Sequence, residues 1–253
     1  MNIKKDTVIG LLVIMVIAAL IIGFMLYRKY SARSELAARI AELSPRGGGP
    51  PITIDGLREA IALYEAQIEQ HVKNAAQTAV YWKILATRLQ DRGLHTEALN
   101  ALAKAIEYTP QEPLLHYLRG LSAAVIAKNT YDTIVAKGDM LQREYYFSLA
   151  EHAYLQAIEL DESYGKPRYG LGVLYVFELD RPEEAIPHLE RYLEISKNNV
   201  DAMFVLARAY YTAGQDHQAV ELYEHIPNLT KDPQKRLDAE QNKRTILSNR
   251  VIP

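Results

Sequence analysis

Apolar residues recur every three or four positions from residue 55 almost to the C-terminus, which is the spacing of one face of an α-helix. Strands of an open sheet would instead alternate apolar and polar residues, and no useful length of that alternation is present. The pattern therefore predicts an all-α body over residues 55–253. Residues 7–27, by contrast, are continuously uncharged rather than periodic.

Residues 7–27 contain no charged side chain. As a helix they would extend about 31 Å, close to the ~30 Å hydrocarbon core of a bilayer. A buried core helix and a cleaved signal peptide are the alternatives, but the apolar region of a signal peptide has only about 7–15 residues. We expect residues 1–30 to be a tail and one transmembrane helix of a bacterial inner membrane protein. Basic residues on both sides leave the orientation open, with a slight preference for a periplasmic body.

Residues 31–54 predict a short connection. Leu36, Ile40 and Leu43 have helical spacing and indicate a short amphipathic helix, which the PRGGGPP segment at 45–51 then ends. Ala60 and Tyr64 indicate a degenerate half-repeat over 55–74.

An internal repeat organises the rest of the chain. A small residue is followed four positions later by a large one at Ala98, Ala150, Ala185 and Ala219. The intervals are 52, 35 and 34 residues, which indicates a 34-residue unit with an insertion near 128–145. The helix before each alanine repeats as well: Trp82, Leu85, Ala86 and Leu89 recur as Met203, Leu206, Ala207 and Tyr210.

The resulting spacing, W-x2-L-[GA]-x2-[LY]-x8-A-x3-[LFY]-x2-A-x4-P, resembles the tetratricopeptide repeat, a helix–turn–helix unit. The resemblance implies a right-handed α-solenoid with repeats at 79–112, 113–164, 165–199 and 200–231 and a closing helix at 232–249. Gly93 and Gly214 would end first helices in the left-handed conformation. Pro187 and Tyr192 depart from the pattern in the third repeat.

Composition and charge exclude several classes of function. The chain has no cysteine, which excludes disulfides and thiolate chemistry. Residues 1–46 carry seven Lys or Arg against three Asp or Glu, so the remainder is acidic, and we expect no nucleic-acid partner. The sequence lacks G-x-G-x-x-G, H-E-x-x-H and G-x-S-x-G motifs, and its seven histidines are scattered. We therefore expect no enzyme, no metal and no cofactor.

The resemblance implies that the first helices line a concave groove that binds other proteins. The residues projected into it are Lys83, Tyr117, Leu121, Tyr169, Val173, Phe177, Phe204, Arg208 and Tyr211. Such a strip favours an apolar helix or an extended hydrophobic peptide. A clamp for a chaperone tail is disfavoured, since Thr87, Leu118 and Gly170 do not supply its polar groups. Internal packing or self-association would cover the same residues.

Together these features predict a membrane-anchored adaptor that holds partner proteins in a cell-envelope assembly. The alternative is a membrane-tethered assembly chaperone that binds transient hydrophobic clients at the same groove.

Overall fold

The computed structural model describes residues 20–23, 38, 53–131 and 137–249. Every regular element in these ranges is helical, which confirms the all-α prediction for the described part of the chain. The long helices are α1 (Ile54–Asp91), α2 (His95–Tyr108), α3 (Pro113–Tyr131), α4 (Lys137–Leu160), α5 (Gly165–Phe177), α6 (Pro182–Ile195), α7 (Val200–Thr212), α8 (Asp216–Leu229) and α9 (Pro233–Asn249).

The predicted membrane localisation is wrong. Among the described residues, no helix is both long enough and apolar enough to cross a bilayer. A span needs about 20 consecutive apolar residues, whereas the longest described helix, α1, carries charged side chains along its length. Of the predicted span 7–27 only 20–23 are described, and they are helical and exposed. The remainder of that span, the linker 45–51 and all of the amphipathic segment 31–44 except residue 38 lie outside the described residues.

The chain divides into two compact units, residues 1–74 and 75–253. In the first unit, the described part of α1 exposes Leu57, Ile61, Tyr64 and Ile68. These residues share one helical stripe, because they are spaced by three and four positions. The predicted half-repeat over 55–74 is not a separate helix, since α1 continues without a break to Asp91.

The second unit is a series of helical hairpins in which each helix contacts its successor from α2 to α9. The first helices also contact one another, α3 with α5 and α5 with α7. Gly93 and Gly214 have φ of 74° and 73° at two of the hairpin turns, which confirms the predicted left-handed conformation. Asp180 takes the same left-handed conformation at the turn between α5 and α6, with φ of 52°.

Small residues allow the two helices of a hairpin to approach closely. Ala98, Ala150, Ala185 and Ala219, the alanines that define the repeat, are all fully buried. A Cβ added to Gly120 or Gly170 would lie 2.6 or 2.8 Å from ring atoms of Tyr154, so this ring lies directly against two backbones. The Tyr154 ring thus fills the space that side chains at the two glycines would occupy.

The predicted insertion near 128–145 lies largely in helices. Residues 128–131 end α3 and residues 137–145 begin α4, so the additional residues lengthen this hairpin. Arg143, near the start of α4, donates from Nη2 to Glu178 Oε2 at 3.1 Å, and its guanidinium lies 4.7 Å from the centroid of the Phe147 ring. The lengthened hairpin is therefore attached to the next one at the end of α5.

Candidate functional site

The nine predicted groove residues all lie on first helices of the hairpins. Lys83 is on α1, and α3 carries Tyr117 and Leu121. Helix α5 carries Tyr169, Val173 and Phe177, and α7 carries Phe204, Arg208 and Tyr211. None of the nine is fully buried. The first helices α3, α5 and α7 contact one another in order. We call the eight predicted residues that these three helices carry the first-helix surface.

Tyrosine rings form the centre of the first-helix surface. Tyr117 lies against the buried Tyr154 with ring centroids 6.1 Å apart and meets Tyr164 edge-on at 5.5 Å. Tyr169 packs on Tyr192 at 5.2 Å. These are the separations at which aromatic pairs attract each other. One side of the aromatic layer therefore belongs to the hydrophobic core, and the other side is accessible.

Burial favours the neutral form of three of these hydroxyls, those of Tyr117, Tyr164 and Tyr169. It raises the pKa of Tyr117 and Tyr169 above the ordinary value, with nearby Tyr192 and Asp201 adding to the two shifts. Burial and the neighbouring Tyr117 and Asp161 raise the pKa of Tyr164 to about 12. Neutral phenols present both an apolar ring and a hydrogen-bonding group, the combination found in many protein interfaces.

Lys83 differs from the other predicted residues, because its charge is already neutralised. Its Nζ lies 2.7 Å from Glu112 Oε1, in a pair whose side chains are about one quarter and one third exposed. Gln90, two turns further along α1, donates to the Leu118 carbonyl at 2.9 Å and to Ser122 Oγ at 2.7 Å. The polar groups of α1 therefore hold α3 in place.

The opposite end of the surface, on α7, combines aromatic groups with a positive charge. Phe204 packs on Tyr223 at 5.9 Å, and Tyr211 Oη accepts from Asn249 Nδ2 at 3.1 Å. Arg208 lies between them in sequence and is exposed. The Arg208 guanidinium forms no ion pair with any described residue. On the neighbouring helix α5, Phe177 has 56% of its area exposed. These two side chains are the most available for a ligand.

Sequence reasoning missed Tyr164, Tyr192 and Glu112. Tyr192 is on a second helix, where the repeat pattern expects a small residue, and this departure was the available signal. Its hydroxyl accepts from Asn199 Nδ2 at 3.0 Å, which fixes the ring beside Tyr169. The pairing of Glu112 with Lys83 joins residues 29 positions apart, and no local pattern indicated it.

Metal chemistry has no candidate among the described residues, since they contain no group of three His, Asp or Glu that could hold an ion. Arg181 forms two ion pairs, with Glu151 Oε1 at 2.9 Å and with Glu184 Oε2 at 2.5 Å. Tyr175 donates to the same Glu151 oxygen at 2.9 Å. The network joins α4 to the turn between α5 and α6, a structural role.

Comparisons with known proteins agree with this architecture. The family model for the tetratricopeptide repeat matches residues 176–239. A TPR repeat-containing protein of Borreliella burgdorferi is 24% identical over 192 residues, covering 76% of this chain and 80% of the relative.

Two solved structures share the fold. A MamA RS-1 ArsTM double mutant superposes with a TM-score of 0.57 at 17% identity, over 68% of this chain and 85% of the other. A thermophilic TPR protein of Thermus thermophilus gives a TM-score of 0.51 at 17% identity, over 74% of this chain and 89% of the other. The protein is therefore similar to tetratricopeptide-repeat proteins in both sequence and fold.

Proposed function

We propose that this chain, which is similar to tetratricopeptide-repeat proteins, acts as a non-enzymatic scaffold that binds a segment of another protein on the first-helix surface. The observation that carries the proposal is the set of partly exposed aromatic and aliphatic residues that α3, α5 and α7 contribute side by side. Contact of such apolar side chains with water does not stabilise a monomer, and exposed apolar patches mark interaction sites.

The ligand that fits is an amphipathic helix or an extended hydrophobic peptide. The tyrosine rings offer broad apolar contact at low cost in side-chain entropy. Phe177 and Arg208 are the exposed members near the C-terminal end of the surface, so a partner with an acidic group beside its apolar residues is favoured there. Lys83 contributes little, since its ammonium is already paired with Glu112.

Photo-crosslinking tests this proposal in cells. A benzophenone amino acid at Phe177 should capture a partner, whereas the same group at Leu155, an exposed position on the second helix α4, should not. Mass spectrometry then identifies the captured protein. Equal capture from both positions would show that contact is non-specific.

Binding with purified components completes the test. The double variant Phe177→Ala, Arg208→Ala should weaken binding of the captured protein about 30-fold, equivalent to ~2 kcal/mol, because aromatic and arginine side chains dominate interface energies. Leu155→Ala is the control and should bind like the wild type. Unchanged affinity in the double variant, with unchanged circular dichroism, would move the site away from the first-helix surface.

A further inference from the structure

The first hairpin of the second unit has an uncovered face. Leu85 on α1 is 44% exposed, whereas its repeat equivalents Leu171 on α5 and Leu206 on α7 are 0% and 4% exposed. At the equivalent site on α7, the preceding second helix α6 supplies the cover. Leu193 packs against the clusters that contain Met203 and Leu206, and Glu190 accepts a hydrogen bond from the Tyr210 hydroxyl. The first hairpin therefore presents an inter-repeat contact surface with no described repeat against it.

A cavity of about 570 Å³ opens on this face between α1 and α2. Trp82, Leu85 and Leu89 line it from α1, and Ala101 lines it from α2. We call these residues, together with Glu97, Asn100, Ala103 and Lys104 at the edge, the first-hairpin face. An apolar recess of this size, bordered by polar side chains, is typical of an interaction surface.

The order of charges along α2 indicates what covers the first-hairpin face. Glu97, Asn100 and Lys104 lie on one side of the helix, with the acid and the base seven residues, or about 10.5 Å, apart. If a second α2 lies antiparallel across the face, Glu97 of each copy meets Lys104 of the other, and Asn100 lies near the two-fold axis. The charge pattern is thus complementary to itself.

We propose that a second copy of this chain covers the first-hairpin face, forming a two-fold symmetric dimer in which the apolar recesses meet and the Glu97–Lys104 pairs are reciprocal. Self-complementary patches of this kind are what a two-fold interface requires. Lys104 now pairs with Glu107 at 2.9 Å on the same helix. That exposed pair is readily exchanged, since surface ion pairs contribute little. The dimer uses a surface distinct from the first-helix surface, so it does not depend on the proposed partner binding.

Charge reversal tests the reciprocal pairs in the full chain. Glu97→Lys or Lys104→Glu alone should raise the dimer dissociation constant at least about tenfold by sedimentation equilibrium, because each change occurs twice in the interface. The double variant Glu97→Lys, Lys104→Glu restores the attraction and should return the constant to within about threefold of wild type. Glu194→Lys, at another exposed ion pair, is the control and should change nothing.

Cysteine crosslinking tests the position of the axis without interference, since the natural chain has no cysteine. Asn100→Cys should form a disulfide-linked dimer under mild oxidation. His152→Cys is the matched control, because His152 occupies the equivalent exposed position on α4, two residues after Ala150 as Asn100 is two residues after Ala98. Equal crosslinking of both variants would contradict the proposal.

The single tryptophan provides a third readout, because Trp82 lines the recess. Its emission should shift to the red when dilution dissociates the dimer, and the Glu97→Lys variant should show the shifted emission at higher concentration. A chain that is monomeric at all concentrations would overturn the proposal. So would single charge reversals that leave the dissociation constant unchanged.

Discussion

At the scale of single residues, the packing of the hairpins depends on positions where a Cβ atom would collide with the facing helix. A Cβ added to Gly172 on α5 would overlap the side chain of Leu189 on α6. Leu189 itself is fully buried and cannot move into solvent. The absence of a side chain at Gly172 therefore sets the distance between the two helices of the third hairpin.

We expect Gly172→Ala to lower the free energy of unfolding by about 1–3 kcal/mol, since overpacking forces backbones or rotamers to shift. Urea denaturation followed by circular dichroism measures this. In the double variant Gly172→Ala, Leu189→Ala the two effects should be less than additive, because the second change removes the atoms with which the new methyl group collides. Additive effects would contradict the assigned contact.

His188 on α6 gives the third hairpin a dependence on pH. The ring lies near Tyr175, with centroids 6.1 Å apart, and its Nδ1 is buried without a hydrogen-bond partner in the described structure. Burial first, and then the positive charge of Arg168, lower the pKa of His188 below its ordinary value, while Glu184 opposes the shift. The folded state thus favours the neutral ring.

Protonation of His188 should therefore destabilise the protein. Between the unfolded pKa of about 6.5 and the lower folded pKa, the unfolded chain binds more protons, so the free energy of unfolding falls as the pH falls. The wild type should lose more stability than His188→Gln between about pH 7.5 and about pH 5, measured by urea denaturation. Equal losses in both proteins would show that other groups cause the dependence.

At the scale of elements, the small residues on second helices control the distance between the two helices of a hairpin. Ala219 on α8 is fully buried and lies in a cluster with Met203 and Tyr223. Its neighbour Gln218 is exposed on the same helix. Placing leucine at each of the two positions therefore separates the effect of leucine on core packing from its effect on helix propensity.

Ala219→Leu should destabilise the protein by about 1–3 kcal/mol or more, because the paired helices cannot separate freely. Gln218→Leu places the same leucine side chain at an exposed position of α8, where it overpacks nothing, and its melting temperature should stay close to that of the wild type. A melting temperature of Ala219→Leu within about a degree of wild type would mean that the repeat phase is misassigned.

The helices also show how far sequence reasoning reached. The phase of the repeat was predictable at Ala98 and Ala219, because packing of paired helices imposes a small residue at a fixed spacing. The lengthening of α3 and α4 was not, since an insertion of given size can form a loop or extend a hairpin. The site followed the same division: the placement of Tyr117 and Phe204 on first helices was predictable, whereas the pairing of Lys83 with Glu112 depends on distant contacts.

At the scale of the whole second unit, we expect α9, the last described helix, to close the array. Ala239 and Ile246 on α9 are buried against Tyr223 and Ile226 of α8. Each hairpin of a repeat array contacts mainly its neighbours, so an end helix with a polar outer face protects the last apolar surface.

Removal of residues 233–253 should therefore lower the melting temperature and promote aggregation, because it exposes this cluster to water. Thermal denaturation and light scattering measure the two effects. A milder variant, Ile246→Ala, should cost about 2–4 kcal/mol without aggregation. The control Leu247→Ala removes an exposed side chain from the same helix and should have little effect. An unchanged melting temperature after truncation would show that α9 does not close the array.

The sequence by itself determined the features that depend on local spacing. Helical class, repeat length, the close contacts at alanine and glycine, and the left-handed turns at Gly93 and Gly214 all follow from periodicity and from the steric limits of single residues. Tertiary structure decided the features that depend on contacts between distant residues. These are the unbroken course of α1, the neutralised charge of Lys83, the tyrosine layer completed by Tyr192, and the exposure of Leu85. Membrane localisation was predicted from the composition of residues 7–27, and no helix among the described residues is long and apolar enough to support it. Hydropathy is a property of one segment alone, whereas the structure that a segment adopts depends also on its contacts.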